Sequence, residues 1–389
     1  MPAWLLALLF GAFVFYTDDY VIAGVLPEIA VGLGVSEAAA GQLVTVFSLT
    51  VGVAAPVAAV LTARWPRRLV FGIALTAFAA ANAIAAATDS YAVLMAMRVL
   101  AALAAAMATP ALFGVAAVLA PERRRGRYLG TVSLGVTGSI ALGVPLGTWI
   151  GGAWGWRATF AAMAAAGALA LIALLATLPR TRPAPAVPLL EQVRVLLSAP
   201  VFLGLLANAF TITGSMMLLT YLAPYLADFA TADTDVRAAM FAASGVAGMA
   251  GIWLGGLATD RWGADRTLIG GIGAFMAVMA VFTLLWPLRP VPLWVVAPLA
   301  VVWAGSAFWN SPAIQARLLT LAGPVGGQAL ALNTSFTYIG VAVGGALGGI
   351  LLSTASVAAL PPVSAVLGGI ALGTFLLASL AARRTAPTA

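Results

Sequence analysis

The chain contains no cysteine, no histidine and no lysine, and only 8% of its 389 residues are charged. Without cysteine there are no disulfides, no thiolate nucleophile and no sulfur-ligated metal. Without histidine the commonest general base and metal ligand near neutral pH is missing. The scarcity of charge excludes more than either. A soluble domain carries about a quarter charged residues, three times the share found here. Disorder fails on the same numbers, because 63% of residues are hydrophobic. A net charge of +7 raises nucleic acid as a partner, but that reading needs a basic face on a soluble domain, so nucleic acid is excluded. What remains is a membrane protein.

A helix needs about 20 apolar residues to cross about 30 Å of hydrocarbon. Such runs fall at roughly 4–27, 38–63, 69–88, 91–119, 128–152, 156–178, 200–226, 237–258, 267–286, 291–320, 325–354 and 360–382. They are unbroken, unlike the alternating strands of a membrane barrel, so the fold class is an all-α polytopic protein with twelve spans. The first run lacks a basic leader and a small-residue cleavage site, and is expected to be a structural helix rather than a signal peptide.

Arginine placement sets the expected orientation. Arg64, Arg67, Arg68, Arg123, Arg124, Arg125, Arg127, Arg180, Arg182, Arg194, Arg261, Arg266, Arg317, Arg383 and Arg384 all fall on one side. The other side has Arg157, Arg237 and Arg289 beside Glu28, Glu37, Asp89, Asp228, Asp233 and Asp235. Both termini are therefore expected in the cytoplasm, and nearly all of these charges read as topology and solubility.

The polar, Pro-rich stretch 181–199 divides the chain into a six-span bundle over 1–180 and a second over 200–389. One lag relates the two. Pro27 maps to Pro224, Arg64-Trp65 to Arg261-Trp262, Gly126 to Gly323, and Gly143, Gly147 and Gly151 to Gly340, Gly344 and Gly348. Each pair is 197 residues apart. Parallel six-helix repeats characterise transporters that rock about a central site. The two glycine rows let helix backbones approach closely. Their equivalent places in both halves put them at the moving interface between halves, with Pro145 kinking span 5.

An ionisable side chain inside hydrocarbon is costly enough to be a functional candidate by default. Asp18 and Asp19 in span 1 and Arg98 in span 4 qualify. Taking Pro27 and Tyr91 as outer ends, all three lie about 10–14 Å deep, so a carboxylate–guanidinium pair can form. Adjacent residues point about 100° apart, so the two aspartates have different tasks. Burial and a neighbouring guanidinium pull a carboxylate's proton affinity in opposite directions. With no histidine, a carboxylate is the proton carrier that remains; a fixed pair pinning span 1 to span 4 is the competing reading for Arg98. The second half carries no buried charge. Its polar residues are Asn208, Thr211, Thr213 and Tyr221, then Asn310, Gln315, Asn333, Ser335, Thr337 and Tyr338, accompanied by Phe210, Met216, Met217, Trp303, Phe308, Trp309 and Phe336. Such a set suits a lipophilic or amphipathic small molecule, with Tyr16 and Tyr20 contributing from span 1.

These residues resemble the major facilitator superfamily, and within it the bacterial twelve-helix drug:proton antiporters. Gly256-Leu257-Ala258-Thr259-Asp260-Arg261-Trp262-Gly263 is similar to the loop signature G-x-x-x-D-R-x-G. The first-half copy is eroded, with Ala63 and Pro66 in place of its Asp and Gly. Gly143-Val144-Pro145-Leu146-Gly147 resembles the span-5 antiporter motif, and Arg98 the span-4 arginine. Thr17 to Pro27, Pro312 to Gln315 and Asn333 to Gly349 are similar to exporters of chloramphenicol, sugars and purines. In that pattern an acidic residue precedes the aromatic, which assigns coupling to Asp19.

The resemblance implies the major facilitator fold and a proton-coupled exporter of small compounds such as antibiotics. It is expected in the bacterial inner membrane, working as a monomer in the lipid bilayer without a cofactor other than the proton. Asp19, Asp18 and Arg98 are expected to carry coupling. Tyr16, Tyr20, Asn208, Met216, Tyr221, Trp309, Asn310, Asn333 and Tyr338 are expected at the substrate. Gly143, Pro145, Gly147, Gly256, Asp260, Arg261, Gly340 and Gly344 are expected in gating. A sugar, purine or amino-acid transporter of the same fold is the alternative; a membrane sensor or pore is the alternative of another class. An enzyme is excluded by the missing nucleophile–base and metal-ligand sets.

Overall fold

The computed structural model describes residues 1–121, 124–179, 190, 194–322 and 326–385. Arg123, Arg180, Arg182, Gly323 and most of the expected linker lie outside them. The described residues contain twelve helices long and apolar enough to cross a membrane. In chain order the helices are α1 (Ala3–Leu33), α2 (Glu37–Leu61), α3 (Arg67–Ala87), α4 (Tyr91–Leu119), α5 (Arg125–Gly138), α6 (Val144–Trp154), α7 (Trp156–Thr177), α8 (Ala199–Thr220), α9 (Leu222–Ala230), α10 (Thr234–Trp262), α11 (Ala264–Leu285), α12 (Leu293–Ala322), α13 (Gly326–Thr354) and α14 (Leu360–Thr385).

The chain folds as two compact units. The first comprises Met1–Ala186 with Asp233–Gly245, the second Val187–Ala232 with Val246–Ala389. The start of α10 thus groups with the first unit and its remainder with the second. In the first unit α1 is the hub, packed on α2, α4, α5, α6 and α7. In the second α8 has that place, against α12, α13 and α14. These two hubs are the most buried spans, at 67% and 72%.

The repeat is visible in helix geometry. Adding 197 to the bounds of α1, α2 and α3 gives 200–230, 234–258 and 264–284, close to α8–α9, α10 and α11. Both hubs break within one residue of the same place. In α1 the backbone leaves helical values at Val25 (φ −115°, ψ 15°), two residues before Pro27. Between α8 and α9 it does so at Tyr221 (φ −107°, ψ 22°), three before Pro224. Proline has no N–H to donate to the preceding turn, which explains both. The helix nonetheless continues past Pro27 to Leu33, where Gly34 (φ 64°) closes it. This corrects the expected depth: Asp18 and Asp19 lie about 21–23 Å from that end, not 12–14 Å.

Span 5 is interrupted by a π-helical turn, Ser139–Gly143, between α5 and α6. Pro145 stands just after that turn, and its missing N–H withdraws one bond from the continuous helix there. The glycine rows also require a correction, because they do not serve an interface between halves. A side chain at Gly143, Gly147 or Gly151 would collide with Thr17, Val21 or Val25 of α1, in its own unit. A Cβ at Gly340 would come within 2.8 Å of the Ala209 carbonyl, and one at Gly344 within 2.7 Å of that of Thr213, both on α8. In hydrocarbon helices gain nothing by expelling water, so close van der Waals contact at small residues does the work. The rows bind each hub into its own unit.

Two contacts at the 197 lag are reciprocal. Gly24 leaves room for Thr148, whereas in the second unit Tyr221 stands at the first position and Gly345 at the second. The Tyr221 hydroxyl donates to the Gly345 carbonyl at 2.8 Å. The helix starts differ too: Gly263 precedes α11 with φ 82° and ψ 162°, a region reserved for glycine, while Pro66 precedes α3 with φ −56°.

Gly344→Val places two further methyls against α8 backbone that cannot turn away. It is expected to cost about 1–3 kcal/mol, whereas Gly72→Ala, with nothing within 4 Å of its Cβ, is expected to be neutral or mildly stabilising. Thermal unfolding in detergent, followed by tryptophan fluorescence, measures both.

Candidate functional site

The first unit buries an ion pair at the middle of its hub. Arg98 Nη1 donates to Asp18 Oδ2 at 2.7 Å, and the two side chains are 1% and 0% exposed. Nη2 donates to the Asp18 backbone carbonyl at 3.0 Å. The guanidinium lies over the Phe47 ring of α2, 4.2 Å from its centroid. Asn82 of α3 sits alongside Asp18. Spans 1, 2, 3 and 4 therefore all meet at this pair. A charge in this setting needs a partner, since the alternative is an uncompensated ion in hydrocarbon. The cation–π contact satisfies a face of Arg98 that no carboxylate covers.

Asp19 points elsewhere, as adjacent helical residues must. It is 1% exposed and lies beside Tyr20, with Tyr16 one turn earlier. Both tyrosines are half-buried. The structure thus separates the two carboxylates by environment: Asp18 takes the arginine, and Asp19 lies by the tyrosines.

The residues expected at the substrate are distributed between packing and partial exposure. Asn208 of α8 is buried and donates to Asn333 Oδ1 at 2.9 Å and Thr337 Oγ1 at 3.0 Å on α13. Asn333 is half-buried. Tyr221 is fully buried and committed to Gly345. Asn310 bonds within its own helix to the Ser306 carbonyl at 3.1 Å. The Trp309 indole donates to the Thr267 carbonyl at 3.1 Å. Met216 and Tyr338 are buried, at 5% and 7% exposure. Of the gating candidates, Gly256 has open space around its Cα, and Asp260 and Arg261 are exposed at the end of α10.

One reading of the charges needs correcting. Glu28 and Arg237 read from sequence as topology markers, yet Arg237 is only 9% exposed and donates to Glu28 Oε1 at 2.8 Å. Arg237 also donates to Thr234 Oγ1 at 2.7 Å. The second half of the sequence therefore does contribute a buried charge, on the start of α10 that groups with the first unit. A signal was present, because Arg237 stands alone among Asp228, Asp233 and Asp235. Nothing in the sequence marked Phe47 as the partner of Arg98.

Two compact units related by one constant lag, each wrapped on a broken hub helix, with a buried ion pair in the first, define a polytopic membrane transporter. The sequence matches the family model of the Major Facilitator Superfamily over residues 8–326, and the chain belongs to that family. It is 33% identical over 355 residues to the uncharacterized MFS-type transporter YbcL of Bacillus subtilis (strain 168), covering 91% of this chain and 90% of that one. It is 34% identical over 275 residues to a chloramphenicol resistance protein of Streptomyces lividans, covering 70% of each. The crystal structure of a D-xylose-proton symporter superposes with a TM-score of 0.77 at 18% identity, over 97% of this chain and 96% of that one. That likeness shows the fold.

Removing one partner of the buried pair leaves the other charge uncompensated. Arg98→Ala is expected to cost about 3–5 kcal/mol of stability, and the double change Asp18→Asn with Arg98→Met less than that. Unfolding midpoints of the purified variants decide it; equal losses would show that pairing is not what Arg98 supplies.

Proposed function

We propose that this transporter is a proton-coupled exporter of small lipophilic or amphipathic compounds such as antibiotics, working by alternating access. The observation that carries the reading is the division of labour in α1. Asp18 is held by Arg98 at 2.7 Å, while its neighbour Asp19 is buried beside Tyr16 and Tyr20. A carboxylate buried in a membrane span costs free energy, and proton carriage is a use that repays it. With no histidine in the chain, a carboxylate is the group suited to the task. The likeness to a chloramphenicol resistance protein supports a drug-like small molecule as the substrate.

In this scheme the Asp18–Arg98 pair pins α1 to α4 and Asp19 exchanges the proton. With the path open to the cytoplasm, substrate enters as Asp19 gives up its proton. With the path open outward, substrate leaves and a proton reaches Asp19. The Asn208–Asn333–Thr337 network supplies amide and hydroxyl groups on the second unit. The transporter acts as a monomer in the bacterial inner membrane, with both termini in the cytoplasm.

Asp19→Asn is expected to abolish transport driven by a pH gradient in proteoliposomes while leaving a folded protein. Gradient-driven export by that variant would overturn the coupling assignment, and accumulation in the opposite direction by wild type would replace export with uptake. Orientation has its own test, because the chain has no native cysteine. Asp89→Cys is expected to react with an impermeant maleimide in intact cells, and Trp65→Cys only after permeabilisation. The reverse pattern would invert the topology.

A further inference from the structure

In the second unit α11 and α14 pack side by side. A cavity of about 430 Å³ lies between them at the end where α11 begins. That volume is in the range of small-molecule sites. To its wall α11 contributes Asp265, Leu268 and Ile269, and α14 contributes Leu372, Leu376 and Ser379. Both walls have the same grading. Asp265 is in the first turn of α11 and Ser379 is near the end of α14, so the polar positions lie at the span end. The leucines and Ile269 lie deeper. Ile269 and Leu376 are 48% and 50% exposed, so the cavity opens sideways toward the bilayer.

The polar corner is held together by a third helix. Arg317 of α12 bonds both polar residues of the wall, Asp265 through Nη1 and Ser379 through Nη2. Its side chain is 14% exposed, and its Nε–H is buried with no acceptor among the described residues. Arg266 stands exposed beside Asp265. The sequence adds Arg383 and Arg384 at the end of α14, so positive charge exceeds negative at this mouth. The first unit fills the equivalent place differently. Asp265 stands 197 residues after Arg68, and the contact of Phe78 with Gly167 recurs as Phe275 with Gly368, which aligns α7 with α14. Arg68 crosses from α3 to the Leu175 carbonyl near the end of α7. In the second unit an aspartate replaces that arginine and turns to Arg317, which leaves the space beside Leu376 open.

We propose that this cavity seats one anionic phospholipid, with an acyl chain along the leucines and the phosphate at the mouth on Arg317 and Arg266. The assignment needs only the membrane fold and is independent of the exporter reading. Any groove facing a bilayer is filled by passing chains, and a chain gains no hydrophobic free energy by moving from lipid to leucine. Residence therefore depends on the headgroup. Guanidinium is the side chain best matched to phosphate oxygens, and the unpartnered Arg317 Nε–H is a donor in need of one. Basic pockets between spans are where anionic headgroups lodge. Asp265 is engaged by Arg317 and leaves Arg266 uncompensated. The polarity of the walls, charged at the span end and aliphatic inward, is that of the lipid itself. A soluble anion would gain nothing from the leucines, and a neutral lipophile nothing from the arginines.

The test is native mass spectrometry of the full chain in dodecyl maltoside, titrated with phosphatidylglycerol, phosphatidylethanolamine or phosphatidylcholine of identical chains. Phosphatidylglycerol is expected to be retained about tenfold more tightly than the other two. Arg266→Gln is expected to weaken it about fivefold, and Arg266→Gln with Arg317→Gln about twentyfold or more. Leu372→Trp, which fills the inner end, is expected to abolish retention. With no native cysteine in the chain, Ile269→Cys reports the position. Phosphatidylglycerol is expected to slow its reaction with N-ethylmaleimide about fivefold, and to leave Gly72→Cys, its counterpart 197 residues earlier, unchanged. Unfolding temperature checks folding; if the Arg317→Gln or Leu372→Trp variant does not fold, Arg266→Gln and the two cysteine variants decide. Equal retention of the three lipids, or a preference for phosphatidylethanolamine, would overturn selection of an anionic head. Equal protection of Ile269→Cys by glycerol 3-phosphate would overturn the acyl seat, and equal slowing at Gly72→Cys would overturn the location. Protection of Ile269→Cys by dimerisation without added lipid would put a second copy of the chain there instead.

Discussion

Every span in this protein must be held to its neighbours without help from water. Hydrocarbon surrounds each helix whether or not it is packed, so association depends on how closely backbones approach. The contact that meets this demand is the glycine row of span 5 against α1, and its counterpart on α13 against α8. Because the rows lie against the hubs, the hubs are the most enclosed helices of their units. That enclosure is what makes the middle of α1 a place where charge can be confined.

Confinement also explains why the buried charges are so few and why Arg98 is held by several helices at once. Arg98 receives a carboxylate, a carbonyl and an aromatic face from the surrounding helices. The proline-linked break near Val25 lies two turns further along the same helix. Charge, break and glycine contact are thus stacked along one hub, while the second hub keeps the break and the contact and replaces the charge by amides. The repeat supplied a common frame, and the chemistry was placed on one copy of it.

Much of this was legible in the amino-acid sequence. Hydrophobic runs marked the twelve spans because a span leaves a long uninterrupted signal, and α4 was placed at 91–119 as found. The constant lag emerged because proline and glycine are needed at particular backbone positions and resist replacement. What the sequence did not disclose was direction around a helix. The glycine rows were visible, but the partner they face was not, since several neighbouring helices compete for each face. Asp18 and Asp19 were equally conspicuous, and only the fold shows which one meets Arg98. Glu28 and Arg237 looked like ordinary surface charge, because burial near a span end depends on a neighbour more than 200 positions away. Pro27 looked like a terminus, yet a helix that is sheltered on several sides can run on past a proline by bending.

The exchange of bulk at Gly24–Thr148 and Tyr221–Gly345 has a consequence for the history of the two repeats. If they descend from one ancestral segment, each contact has been solved by putting the larger side chain on the opposite helix. Neither solution tolerates the other's partner: Tyr at position 24 would meet Thr148, and Gly at position 221 would leave Gly345 facing a gap. The two units remain copies in backbone while having become mutually incompatible in side chains, like threads of the same pitch cut to different gauges. A chimaera that exchanged only the first helix of each unit would fail for this reason, whereas one that exchanged the first and fifth spans together would keep both contacts intact.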